Sequence, residues 1–176
     1  MTTNSDDPYS IRSGDGTTLA NEHALMRTLG DHSFLKGLTD EQLNILAANA
    51  MPVEFPVGET IFSEGDAANR FYLIQDGEVV LESLDNPEKS PVEIARLGSG
   101  DVLGWSWMFP PYYWRFGART VKACKAVFFY GTRLREECEK DPRLGMSLAH
   151  RAAEVAIQRL QATRKKLVAL QQETGR

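Results

Sequence analysis

Between Met51 and Tyr130 the apolar residues recur at every second position, in four runs: EFPVGETIFSEGD, RFYLIQDGEVVLES, VEIARLGSGDVLG and ARTVKACKAVFFY. A period of two is that of a strand with one face buried. Short strands spaced this evenly close on themselves or pack as a sandwich, which points to an antiparallel sheet. Gly58, Gly65, Gly77, Gly98 and Gly100 break the runs. They are read as turn positions, where a positive φ costs other residues energy.

Helical periods flank this region, so the fold class is α+β: an antiparallel β-roll, a jelly-roll-like barrel, over residues 51–130. Residues 22–50 form a helical lead-in, with Leu25, Met26 and Leu29 at helical spacing. In LTDEQLNILAANA, Thr39 and Gln42 have the spacing of a capping box, and Asp40 and Glu41 suit the positive end of the helix dipole. Residues 1–21 are polar and without period, which reads as a flexible tail. Residues 131–176 hold the C-terminal helices. Asp141-Pro142 is a start signal for a helix running to about Leu170, a rod of about 40 Å. Along it Ala149, Ala153, Ala156, Leu160, Thr163, Leu167 and Leu170 alternate spacings of four and three, a heptad seam for a second copy of the chain. The seam makes a homodimer the expected assembly.

Composition narrows function by exclusion. A net charge of −4 and a pI near 5.4 argue against a DNA-binding face. The apolar runs are far shorter than the roughly 20 residues of a membrane span, and the acidic, polar N-terminus does not resemble a signal peptide. Cytoplasm is the expected compartment. Cys124 and Cys138 make no disulfide framework and read as small buried hydrophobes. His23, His32 and His150 all lie outside the strand region, and no nucleophile–base pairing is suggested by spacing. The expectation is no enzyme, no catalytic residues, no metal and no cofactor.

The stretch GETIFSEGDAANRFYLIQDGEVVL resembles the glycine-framed core of the cyclic-nucleotide-binding domain, with Gly58, Ile61, Gly65, Tyr72, Ile74, Gly77 and Val79 in register. IARLGSGDVLG is similar to that family's run into its phosphate-binding cassette, here residues 98–119. FLKGLTDEQLNILAANA resembles its helical lead-in, and CEKDPRLGMSLAHRAAEVAIQRLQ the first part of its dimerising helix. The resemblance spans about residues 33–170. It implies a ligand pocket inside the roll, a sensor or regulatory role, and output through the dimer helix or a protein partner. Regulators of this family often continue into a DNA-binding helix-turn-helix. With the sequence ending at Arg176, no such element and no direct DNA contact are expected.

The resemblance also places GWSWMFPPYYWRFGA, which holds seven aromatics and all three tryptophans, in the cassette. In the family a glutamate follows the glycine and takes the ribose hydroxyl, and an arginine pairs with the cyclic phosphate. Here Gly104 is kept, but Trp105 stands at the glutamate's place and is followed by Ser106 and Trp107. The arginine's place falls on Gly117, between Arg115 and Arg119. These residues are the candidate ligand site, for a cyclic nucleotide or another small anionic or aromatic ligand. Two readings stay open. The pocket is altered, so that a nucleotide would need a different geometry, or is filled from within by Trp105, Trp107 and Phe109, leaving a degenerate roll that acts as an interaction module; or it binds cyclic nucleotide in the ordinary way. An exposed tip at PPYYW has no adjoining basic cluster, so no membrane contact is expected.

Overall fold

The computed structural model describes residues 18–83 and 90–174. Two 14-residue strands, β3 (Arg70–Ser83) and β6 (Gly117–Tyr130), pair antiparallel from Arg70↔Tyr130 to Glu82↔Gly117. Both are rich in β-branched and aromatic residues, which suit a pleated, half-buried surface. β1 (Ala50–Phe55) and β2 (Thr60–Phe62) pair with β6, while β4 (Val92–Leu97) and β5 (Val102–Leu103) pair with β3. The sheet runs β1-β6-β3-β4, and its strands are all antiparallel.

Alternation along the two long strands sorts side chains into two cores. Tyr72, Ile74, Ala126 and Phe128 face the inside of the roll, where Val53, Phe55, Val79, Leu81 and Leu103 meet them. Phe71, Leu73, Val127 and Phe129 face the other way, onto the helices. Those helices are α1 (Thr18–Asp31), α2 (Asp40–Ala47), α3 (Gly131–Lys140) and α4 (Pro142–Thr174), with a 3₁₀ turn at Ser33–Leu35. Gly77 is not at a turn. It lies inside β3 with φ +97°, where the β3–β6 register shifts, and a β-carbon there would stand 2.6 Å from the Cα of Cys124. The residue permits a bulge that lets one long strand bend around the roll. Gly98, also expected in a turn conformation, does not have a positive φ.

The helical lead-in begins earlier than the polar composition suggested: residues 18–21 belong to α1, and residues 1–17 lie outside the described residues. The capping box of α2 forms in full, with Thr39 Oγ1 accepting from the Gln42 amide and Gln42 Oε1 from the Thr39 amide, each at 3.2 Å. At the head of α4, Asp141 Oδ1 accepts from the Arg143 amide at 3.0 Å. With 33 residues this helix is about 50 Å long. Its Leu144, Leu148 and Ala152 are buried on the protein's own core, with Val155 packed beside them. The heptad seam lies on another face: Leu160, Leu167 and Leu170 are 67, 55 and 60% exposed. Cys124 is buried, and burial followed by the charge of Asp76 pushes its thiol up to about 11; burial also raises the half-buried Cys138.

His32 pins the lead-in to the sheet. It is buried, its Nε2 lies 3.2 Å from the Ile74 carbonyl oxygen, and its Nδ1 accepts from the Phe34 amide. That pairing requires the neutral ring, with the proton on Nε2. Burial holds its pKa below the ordinary value of 6.5 despite the opposing pull of Asp101. The unfolded chain then takes up a proton before the folded one does, so the stability His32 contributes is present above pH 6.5 and is lost as pH falls through its folded pKa. Urea unfolding of the wild type should weaken below pH 6.5 by up to about 1.4 kcal/mol per pH unit from this group. His32→Gln should flatten that slope; an unchanged slope would show that the proton is taken up elsewhere.

Candidate functional site

The aromatic stretch is held by backbone pairing at both ends. Its start continues from β5, which pairs with β3 at Tyr72↔Leu103. Gly104 then turns the chain with φ +83° into a 3₁₀ turn over Trp105–Met108. Further on, residues 112–114 pair with the loop before β3: the Ala68 amide donates to the Tyr112 carbonyl at 2.6 Å, and the Trp114 amide to Asp66 at 2.8 Å.

These two anchors decide where each ring goes. Trp114 points into the roll, 4% exposed, and stacks on Phe62 with centroids 3.9 Å apart. Its ring lies so close to Gly104 that a β-carbon there would stand 2.8 Å from it, so glycine is required by contact as well as by φ. Trp107 is buried on the opposite, helix-facing side, against Phe71 and beside Gly131. Its carbonyl accepts from Arg135, while its buried Nε1 has no hydrogen-bond partner among the described residues. Trp105 is half-buried, edge-on to Phe109 at 6.1 Å. Phe109, Tyr112, Tyr113 and Phe116 are partly exposed to solvent. The expected trio of Trp105, Trp107 and Phe109 does not fill the roll together; the buried ring on the roll's side is Trp114, stacked on Phe62.

Beside this stretch lies a cleft of about 1090 Å³. One wall is the cassette, with Gly104, Trp105, Ser106, Trp114 and Arg115; another is β4; the third is α4 from Arg151 to Lys166. Arg159 Nη2 donates to the carbonyl of Val102, two residues before Gly104, and so ties α4 to the cassette's entry. Burial lowers the pKa of Arg159, which Asp101 partly offsets. On the sheet, Arg96 bridges Glu78 and Glu93 at 2.7 and 2.8 Å, and Lys122 joins Glu78 at 2.8 Å.

Of the expected site residues, Gly104, Trp105, Ser106 and Arg115 line this cleft. Trp107 is packed in the helix-facing core, and Arg119 lies outside the cleft, its guanidinium on the Glu82 carboxylate at 3.1 Å. The alternation of β6 explains Arg119: Ala118 faces the roll interior, so its neighbour faces away. Arg151 and Arg159 went unread. For Arg159 the signal was present, because it continues the buried stripe Leu148, Ala152, Val155 where an apolar residue belongs. Of the histidines, His32 is in the core, and His23 and His150 are exposed.

Comparison with known proteins agrees with this geometry. The family model described as the cyclic nucleotide-binding domain matches residues 52–141. A CRP-like cAMP-activated global transcriptional regulator of Mycobacterium tuberculosis is 27% identical over 135 residues, 77% of this chain and 58% of that protein. The chain therefore spans less than two thirds of that curated relative. A solved structure described as a cyclic nucleotide-binding protein from Geobacter metallireducens is 30% identical, with a TM-score of 0.67 over 81% of this chain and 98% of that one. The regulatory subunit of a cAMP-independent protein kinase A from Trypanosoma cruzi, bound to guanosine, shares the fold at 21% identity, with a TM-score of 0.62 over 72% of this chain and 44% of that one.

The ring contacts make a stability prediction. Trp114→Ala removes a fully packed ring and should destabilise the protein by about 3–5 kcal/mol in urea unfolding. Phe116→Ala, two residues on and 38% exposed, should cost no more than about 1 kcal/mol. Equal effects would mean that the two rings are not sorted as the structure has them.

Proposed function

The chain belongs to the cyclic nucleotide-binding domain family, and from that premise we propose that it is a non-enzymatic ligand sensor with an altered pocket, acting in the cytoplasm through its long helix. The observation that carries this reading is the cleft itself. Its cassette wall and its helix wall are joined by one hydrogen bond, from Arg159 to the Val102 carbonyl. A ligand seated between them changes the relation of α4 to the roll, and α4 is the element that bears the exposed seam leucines Leu160, Leu167 and Leu170.

The pocket differs from the family's ordinary one at the residues that recognise a cyclic nucleotide. Trp105 stands where a ribose-binding carboxylate is expected, and an indole N–H only donates. Arg115 is the one of the two flanking arginines that lines the cleft. Losing a hydrogen bond to a charged group weakens binding by roughly 10- to 150-fold. A second reading has its own support: with Trp114 stacked on Phe62 inside the roll, the chain is a dimeric interaction module that binds no nucleotide. The transcriptional regulation named for the Mycobacterium relative is not carried over, since the match covers 58% of it. Output to a protein partner, or through the dimer, suits the acidic chain better than direct DNA contact.

Two measurements test this. Calorimetry with cyclic AMP should find weak binding in the wild type, and Trp105→Glu should strengthen it about tenfold or more. Sub-micromolar binding by the wild type would overturn the altered pocket, and no binding of any ligand by either protein would favour the interaction module. Light scattering at micromolar concentration should give twice the chain mass, and Leu160→Asp, at the exposed seam, should shift it toward monomer. A monomeric wild type would sink the dimer.

A further inference from the structure

In a chain of net charge −4, the cleft is lined by more cations than acids. Lys36, Arg96, Arg115, Arg151, Arg159 and Lys166 stand there, against Glu93, Asp101 and Glu154. Arg96 is already neutralised by Glu93 and Glu78. The two arginines of the helix wall are not. Arg151 donates to the Lys36 carbonyl at 2.6 Å and to Ser147 at 3.4 Å, and Arg159 donates to the Val102 carbonyl. Neither reaches a carboxylate within ion-pair distance among the described residues. A backbone carbonyl occupies one of a guanidinium's five donors and supplies no net charge. Half-buried charge left in this state gains from an anion.

The spacing says where that anion sits. Arg151 and Arg159 are eight residues apart, about 12 Å along the helix, and the cassette's donors, Ser106 and Arg115, lie on a different wall. The cleft volume of about 1090 Å³ lies at the top of the roughly 300–1,000 Å³ range that suits drug-sized ligands, more than one mononucleotide needs. Resting on the sensor reading above, we propose that the ligand is anionic at both ends: one group on the cassette, the second on the Arg151–Arg159 wall of α4. The chemical class is a nucleotide with two phosphates, of the size of a cyclic dinucleotide. The second subsite makes α4 a direct ligand contact rather than a lid that senses occupancy at a distance.

Calorimetry on the full chain with cyclic di-AMP, carrying two phosphates, and cyclic AMP, carrying one, tests this. The wild type should bind the dinucleotide at least about tenfold more tightly, and Arg151→Gln and Arg159→Gln should each lower that affinity by roughly 10- to 150-fold, with cyclic AMP binding changed by less than about threefold in Arg151→Gln. Because Arg159→Gln also removes the tie to Val102, Arg151→Gln is the cleaner variant, and the melting temperature of each is checked alongside. A dinucleotide bound no more tightly than cyclic AMP, or held by both variants as by the wild type, overturns the second subsite and leaves the sensor reading standing. No binding of either nucleotide overturns both.

Discussion

The pairing of β3 with β6 is the constraint on which the rest depends. Each strand has 14 residues, and each contributes alternate side chains to both cores, the interior of the roll and the layer beneath the helices. Slipping the pair by one residue would exchange the faces, sending Tyr72 and Phe128 to the helices and Phe71 and Phe129 into the roll. The bulge at Gly77 protects the register, since no other residue fits its φ and its contact with the Ala123–Cys124 backbone. Everything functional hangs from this pair. β5 and the cassette extend from β3, the pocket ring Trp114 enters just before β6, and α3 and α4 leave from its end.

The strands were legible because their alternation is nearly uninterrupted: RFYLIQDGEVVLES is β3 to the residue, and ARTVKACKAVFFY is β6 save its first glycine. The first run divides into β1 and β2, because Pro56, Val57 and Gly58 turn the chain between them. Thr39 and Gln42 were readable for a different reason: a capping box acts within four residues, so its geometry follows from spacing alone. The start of α1 at Thr18 was not readable, because the four residues before Glu22, Thr18 to Asn21, are too few to show a helical repeat that would separate a helix from a tail.

The site was only half legible, and the reason is topological. Periodicity says which residues share a face, not which distant loop pairs with which. Trp114 stacks on Phe62 because residues 112–114 bond to the 65–68 loop, nearly fifty positions earlier in the chain, and that pairing turns its ring toward the roll. Trp107 belongs to the other core because Gly131 leaves room for it there. Arg115 and Arg119 look equivalent in sequence, yet Arg119 lies within β6 and pairs with Glu82, while Arg115 precedes that strand and lies at the cleft.

If the chain is the sensor proposed above, the division of α4 bears on how occupancy of the cleft passes along the helix. As far as Arg159 the helix is held, first by Leu144, Leu148 and Ala152 and last by the Val102 hydrogen bond; beyond it, Leu160, Leu167, Val168 and Leu170 face solvent. A ligand shifts an equilibrium only by its differential affinity for the two states. The hold at Arg159 is one charge-assisted hydrogen bond, about 1.5–3 kcal/mol. Allosteric couplings are typically about 1–3 kcal/mol. A ligand anion competing for the Arg159 guanidinium therefore has about enough leverage to free or fix the outer half of the helix. The apolar contacts nearer Pro142 are too numerous to yield to the same ligand, so its leverage falls on the part of α4 beyond Arg159, which bears the leucines of the seam.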